Sequence, residues 1–179
     1  FEKLAAEARY RLVRCYLAKG DPKKAREQAD ALIIAGPQTK VFQPEADLIA
    51  QYLEANGRLL LLADASTTTG LEGVLEDWGV RVADDVVVDG SRTLTGRELF
   101  ITDYGQHPVT RSLQGLTCVM YLPRSVAPLD AGGDDDSDRP RVTVLAQSSP
   151  AGFAETQLDQ SPLQFDPGVD SPGPVPVAV

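Results

Sequence analysis

Between Ala31 and Val88 short apolar runs alternate with amphipathic segments without a break. The order is ALIIAGPQ, a helical stretch closed by Asn56-Gly57, RLLLLAD, LEGVLEDWGV and ADDVVVD. Strand, helix, strand, helix, strand is the signature of βαβ units, because parallel neighbours need a crossover, usually a helix. The expected fold is therefore α/β: a three-layer sandwich with a mainly parallel sheet, its last strands antiparallel at an edge. The 179 residues suffice for one such domain with a real core. Residues 1–179 are read as a single α/β domain, without a repeat of fixed period.

Local chemistry supports each element. Phe1, Leu4, Ala5 and Ala8 share one helical face, and RYRLVRCYL alternates as a strand would. PKKAREQ reads as a short polar helix or turn. ALIIAG, bounded by Gly36-Pro37, suits a central strand. Pro44 fits the first helical position, where its missing N–H costs nothing. Leu48, Ile49, Tyr52 and Leu53 form that helix's stripe, and Gly57 is expected in the left-handed cap conformation. The leucines from Leu59 to Leu62 suit a strand covered on both faces. Hydroxyls in Ser66-Thr67-Thr68-Thr69 precede a helix with Leu71, Val74, Leu75 and Trp78 on its apolar side. Val80 to Val88 is a strand interrupted at Asp84-Asp85. GLTCVMYL, VTVLAQSS and VPVAV complete the strands. Residues 131–140 (AGGDDDSDRP) form a flexible acidic loop, and the Pro- and Gly-rich segment 149–174 an irregular excursion. A rival exists for residues 1–37, which can be laid on a tetratricopeptide unit through Leu12, Tyr16, Gly20, Ala25 and Pro37.

The charge narrows the function. A net charge of -9 and a pI near 4.6 argue against nucleic acid, which needs clustered Lys and Arg, and against docking on anionic lipid. The Asp134–Asp138 run lacks the spacing of a calcium loop and reads as a solvated face. Cys15 and Cys118 sit in apolar surroundings as small hydrophobes. One histidine and two distant cysteines cannot build a zinc site, so the sequence calls for no metal and no cofactor. There is no signal peptide and no apolar run long enough to span a bilayer. The opening on Phe1 and the apolar close VPVAV read as an excised fragment.

The ordered set ALIIAGPQ, YLEANGRLLLLAD, LEGVLEDWGVRVADDVVVD, HPVT, SSPAGFAE and GPVPVAV resembles the auxiliary, gliding-motility-associated component of bacterial ABC-type transport systems. The likeness covers most of Ala31 to Val179. Asn56 stands where the family has the first Gly of a pair, Ala65 where it often has Pro, and Val109 where it has Ile. The resemblance implies a flavodoxin-like, class I glutamine-amidotransferase-like layer fold, shared with a ciliary intraflagellar transport protein. It implies a membrane-anchored parent with its large part on the extracytoplasmic (periplasmic) face of a bacterial inner membrane. It implies ABC permease and ATPase subunits as partners. It brings no agreed catalytic group.

Ligands of parallel sheets bind at the carboxyl ends of strands. Those ends place Gln38, Asp64, Ser66 and Thr67 as candidate binding residues, joined by His107 and Thr110 of the HPVT element. Each has a plainer role. The STTTG hydroxyls can cap a helix, or receive an anion at its N-terminus. His107 can be a turn residue or a general base. Thr110 can cap a short helix or bond to its own turn. No Gly-x-Ser-x-Gly elbow or P-loop occurs, and both cysteines lie within apolar strands. The expected function is a non-catalytic binding module. The alternatives are a small-molecule or sugar-binding domain using the strand-end crevice, or a degenerate hydrolase pairing Ser66 with His107.

Overall fold

The computed structural model describes residues 31–129, 140–158 and 163–179, with Lys19, Asp21, Lys23, Lys24 and Glu27. The expected first helix, the RYRLVRCYL strand, Cys15, most of the tetratricopeptide alternative and the acidic run lie outside the described residues. Lys23, Lys24 and Glu27 are helical. The chain divides into two compact units: Phe1–Ala63 with Thr68–Val74, and Asp64–Thr67 with Leu75–Val179.

The first unit contains the βαβ element read from the sequence. Strand β1 (Leu32–Ala35) pairs in parallel with β2 (Leu59–Leu62), Leu32 opposite Leu59 and Ala35 opposite Leu62. Helix α1 (Gln43–Glu54) connects them, with proline in its first turn. It buries Ala46, Ile49, Tyr52 and Leu53, so Ala46 takes the place in the stripe expected of Leu48. Ile33, Leu60 and Leu62 are about half exposed or more (61%, 49% and 53%). The leucine strand is thus not covered on both faces, and no third strand flanks the pair among the described residues.

The end of α1 corrects the expected cap. Asn56, not Gly57, takes the left-handed conformation, at φ 62°, which asparagine tolerates better than most residues. Gly57 is needed for space: a Cβ there would collide with the ring and the carbonyl oxygen of Tyr52, a fully buried residue. Gly57→Ala is expected to destabilise this unit by about 2 kcal/mol, the usual scale of overpacking. Urea unfolding followed by intrinsic fluorescence checks it, and an unchanged midpoint would count against the packing account.

Helix α2 (Glu72–Asp77) follows a turn that its first residue, Glu72, holds closed. Glu72 accepts hydrogen bonds from the Thr69 N–H (2.7 Å), the Thr69 hydroxyl (2.9 Å) and the Gly70 N–H (2.9 Å). The Thr69 hydroxyl oxygen accepts the Leu71 N–H at 3.1 Å. Gly70 between them has φ 82°, outside the helical region, so these bonds close a turn ahead of Glu72 and not a capping box. Burial pushes the Glu72 carboxyl up, but these donors and its own backbone N–H outweigh burial and hold it below the ordinary value.

The second unit overturns the expected parallel sandwich. Strands β3 (Val80–Val82) and β8 (Val126–Pro128) form one antiparallel pair, and β5 (Glu98–Ile101) and β7 (Cys118–Tyr121) another. One three-stranded sheet has the order β11 (Ser171–Pro172), β10 (Phe153–Glu155), β4 (Val86–Val88). The other has β12 (Pro176–Ala178), β9 (Ala146–Gln147), β6 (Asp103–Tyr104). Every strand pairing here is antiparallel. The protein is mostly small antiparallel sheets with few helices, not a flavodoxin-like or amidotransferase-like three-layer sandwich.

The physical reason lies in the connections. A parallel pairing needs a crossover of a dozen or more residues. After α2 the only helical element among the described residues is a single 3-10 turn, Arg111–Leu113. The run from Val80 to Val88 breaks at Asp84-Asp85 into β3 and β4, which join different sheets. Buried Asp85 makes the break, accepting the Ser125 N–H and hydroxyl, each at 2.7 Å. VTVLAQSS contributes only Ala146–Gln147 to a sheet, whereas the Pro- and Gly-rich segment supplies β10 and β11. Its Phe165 also meets Phe153 edge-on, at 5.7 Å between ring centroids. The unit's core joins Val87, Leu99, Ile101 and Tyr104 to Ala146, Ala154, Val175 and Val177.

Candidate functional site

Asp64, Ser66 and Thr67 lie on one turn, and buried Arg124 holds it. The Arg124 guanidinium donates to the carbonyls of Ala83 (2.7 Å), Asp64 (3.0 Å) and Thr67 (2.7 Å). The Thr67 hydroxyl closes the turn by donating to the Asp64 carbonyl at 2.7 Å. Ser66 is exposed in the left-handed region at φ 56°, a conformation serine adopts only under local constraint. Asp64 and Ser66 line a cavity of about 850 Å³.

The rest of that cavity comes from residues the sequence did not single out. Val86, Val88 and Leu122 supply apolar wall, and Thr93, Arg97 and Tyr121 supply polar groups. The register of β5 on β7 sets Tyr121 opposite Glu98. The Arg97 guanidinium donates to the Tyr121 hydroxyl at 3.3 Å. Glu98 organises the loop before β5, accepting the Thr95 N–H at 2.9 Å and hydroxyl bonds from Thr95 and Thr93. Those donors, the Thr95 N–H first, pull its carboxyl down to about 2. Leu122 also has positive φ, 45°. The one legible signal was Arg124, a lone cation in the apolar stretch TCVMYLPRSVAPL. Nothing in the local pattern marks Thr93, Arg97 or Tyr121.

His107 and Thr110 sit elsewhere in this unit. His107 lines a second cavity, of about 610 Å³, with Tyr104, Gln106 and Arg111. Its Nδ1 accepts the Val109 N–H at 3.2 Å. Buried Thr110 donates from its hydroxyl to the carbonyls of Gly105 (2.5 Å) and His107 (3.0 Å). HPVT is a self-bonded turn, and Thr110 makes no side-chain cap to the 3-10 turn after it. Ser66 and His107 line different cavities, so the structure does not bring together the pair a hydrolase would need. Gln38, in the first unit, is exposed and donates to the Gly36 carbonyl at 3.1 Å.

Among the described residues no group of three or more His, Cys, Asp or Glu could hold a metal ion. No described helix is long and apolar enough to cross a membrane. Half-buried Cys118 is a free thiol within β7. Among the described residues the cavity at Ser66 offers one cation, one carboxylate, several hydroxyls and an apolar wall. Those groups can bind and orient a ligand.

Comparison with known proteins places the fold and the family. A solved structure described as the mmIFT52 N-terminal domain superposes with a TM-score of 0.56 at 16% identity. The match covers 73% of this chain and 61% of that one, so the chain spans about three fifths of that structure's length. The likeness shows a shared fold. No curated protein matches the chain. The family described as "ABC-type uncharacterized transport system", auxiliary component, matches residues 3–179, and the chain belongs to this family.

Proposed function

We propose that the chain is a non-catalytic binding module of the auxiliary protein of an ABC-type transport system, of the gliding-motility-associated type. It works on the extracytoplasmic face of a bacterial inner membrane, on a parent anchored by segments beyond these residues. It binds the permease and ATPase subunits, or an envelope ligand for them. The family match over residues 3–179 carries this reading. The separation of Ser66 from His107 favours binding over hydrolysis, and the cavity at Ser66 favours a small ligand as one of the things bound. Mild crosslinking of the anchored parent in its own cells, followed by affinity purification and mass spectrometry, is the test. Recovery of an ABC ATPase with its permease is the expected result. Recovery of neither would sink the auxiliary-subunit reading.

A further inference from the structure

The cavity at Ser66 holds two exposed groups of opposite charge, Asp64 and Arg97. Among the described residues no ion pair joins them, although the adjacent Glu98 carboxylate acts on Arg97 through space. Among the described residues the Asp64 carboxylate accepts no hydrogen bond, and the Arg97 guanidinium donates one, to the neutral Tyr121 hydroxyl. Each charge is therefore available to a ligand. Val86, Val88 and Leu122 supply apolar wall, and Ser66, Thr93 and Thr95 bring hydroxyls. The threonine hydroxyls donate to Glu98, and Thr93 also accepts the Gly96 N–H at 2.9 Å, which leaves one lone pair on Thr93 and both on Thr95 to accept an N–H. The volume, about 850 Å³, lies in the range of about 300–1,000 Å³ that takes a whole small ligand. It is too large for a single amino acid to fill.

A ligand matching these features carries one positive and one negative end, an apolar body and amide groups along it. A purely anionic amphiphile would leave Asp64 facing like charge, and a cationic one would do the same to Arg97. We propose that this cavity binds a short apolar peptide with free termini, its ammonium on Asp64 and its carboxylate on Arg97. The side chains lie on Val86, Val88 and Leu122, and the backbone amides meet the Ser66, Thr93 and Thr95 hydroxyls. Among the described residues three non-glycine residues have positive φ, and two of them, Ser66 and Leu122, line this cavity; backbone strain of this kind concentrates at ligand sites. The inference rests on the binding-module reading and gives its ligand a chemical class.

The test is calorimetric titration of the folded protein with trivaline, N-acetyl-trivaline and trivaline amide. Free trivaline binds. Each blocked form binds at least about tenfold more weakly, the scale of one lost charge-assisted contact. In Asp64→Asn the acetyl group brings no further loss, and in Arg97→Gln the amide brings none, because each variant has already removed that contact. Both side chains are exposed, and thermal unfolding confirms that the variants fold. Equal binding of free and blocked peptides would overturn the proposal. So would the absence of peptide binding at millimolar concentration, or binding of a zwitterionic alkylphosphocholine in place of the peptide. None of these results alters recovery of permease and ATPase by crosslinking, so the two readings fail separately.

Discussion

Arg124→Met is expected to lower the unfolding free energy by about 3 kcal/mol. Arg124 is 5% exposed, and its guanidinium serves three backbone carbonyls at 2.7 to 3.0 Å. A hydrogen bond from a charged group contributes about 1.5–3 kcal/mol. Asp64 and Thr67 lie near solvent and recover part of the loss by hydration, which brings the sum down. Methionine keeps much of the stem's volume, so the measured loss reports on the hydrogen bonds more than on packing. Arg124→Lys keeps the charge without the planar fork and loses an intermediate amount. Urea unfolding at constant m-value checks both variants. A loss under about 1 kcal/mol for the methionine variant would mean that the turn at 64–67 holds itself. The same variant should release Ser66 from its left-handed conformation, which backbone chemical shifts would register.

The second large effect is at Asp89, which follows β4 and is 1% exposed. One carboxylate oxygen accepts the Ser91 N–H at 3.0 Å and the Ser91 hydroxyl at 2.6 Å. The other accepts the Ser149 N–H at 3.1 Å. Burial pushes this carboxyl up, but the bonds from Ser149 and Ser91 outweigh it and hold the folded value below the ordinary one. The sign of the linkage follows. A depressed folded value contributes stability that is present above the unfolded value of about 3.9. It is lost as pH falls from there through the folded value. Asp89→Asn turns an N–H group toward a donor and is expected to lose about 2–3 kcal/mol at pH 7. The gap between wild type and variant should close below about pH 4. Denaturant midpoints measured from pH 7 to pH 2 test this, and a gap independent of pH would remove the carboxylate from the account.

The residues legible in the sequence are those whose structure depends on near neighbours. The short apolar runs ALIIAG and RLLLLAD, Pro44 at the helix start and Asn56-Gly57 at its end are local signals. They located β1, α1 and β2. The hydroxyls before α2 pointed to a helix cap, whereas Thr69 and Glu72 close a turn ahead of the helix with Gly70 at φ 82°. The HPVT turn reading of His107 and Thr110 was also local, and both residues bond within the turn. The parallel sandwich failed where a local pattern was extended into a global one. Val80 to Val88 looks like one strand, yet Asp85 reaches Ser125 and divides it.

The candidate binding residues show the same division. Asp64, Ser66 and Thr67 were found because they follow a strand, and the structure keeps them on one turn. Their cavity partners, Arg97 and Tyr121, were hidden because strand register, not sequence spacing, brings them there. His107, grouped with Ser66 by residue type alone, lines a different cavity.

By itself the sequence determined the short-range elements of residues 32–62 and the chemistry that caps and turns them. Hydrophobic period and terminal residues act within a few positions of the chain. The tertiary structure alone decided strand direction after α2, sheet membership and the cavity. Those rest on contacts such as Arg124 to Ala83, Asp85 to Ser125 and Asp89 to Ser149, 41, 40 and 60 residues apart. A hydrogen bond across that separation depends on where the folded backbone places a donor and an acceptor, and it leaves no period in the chain to be read.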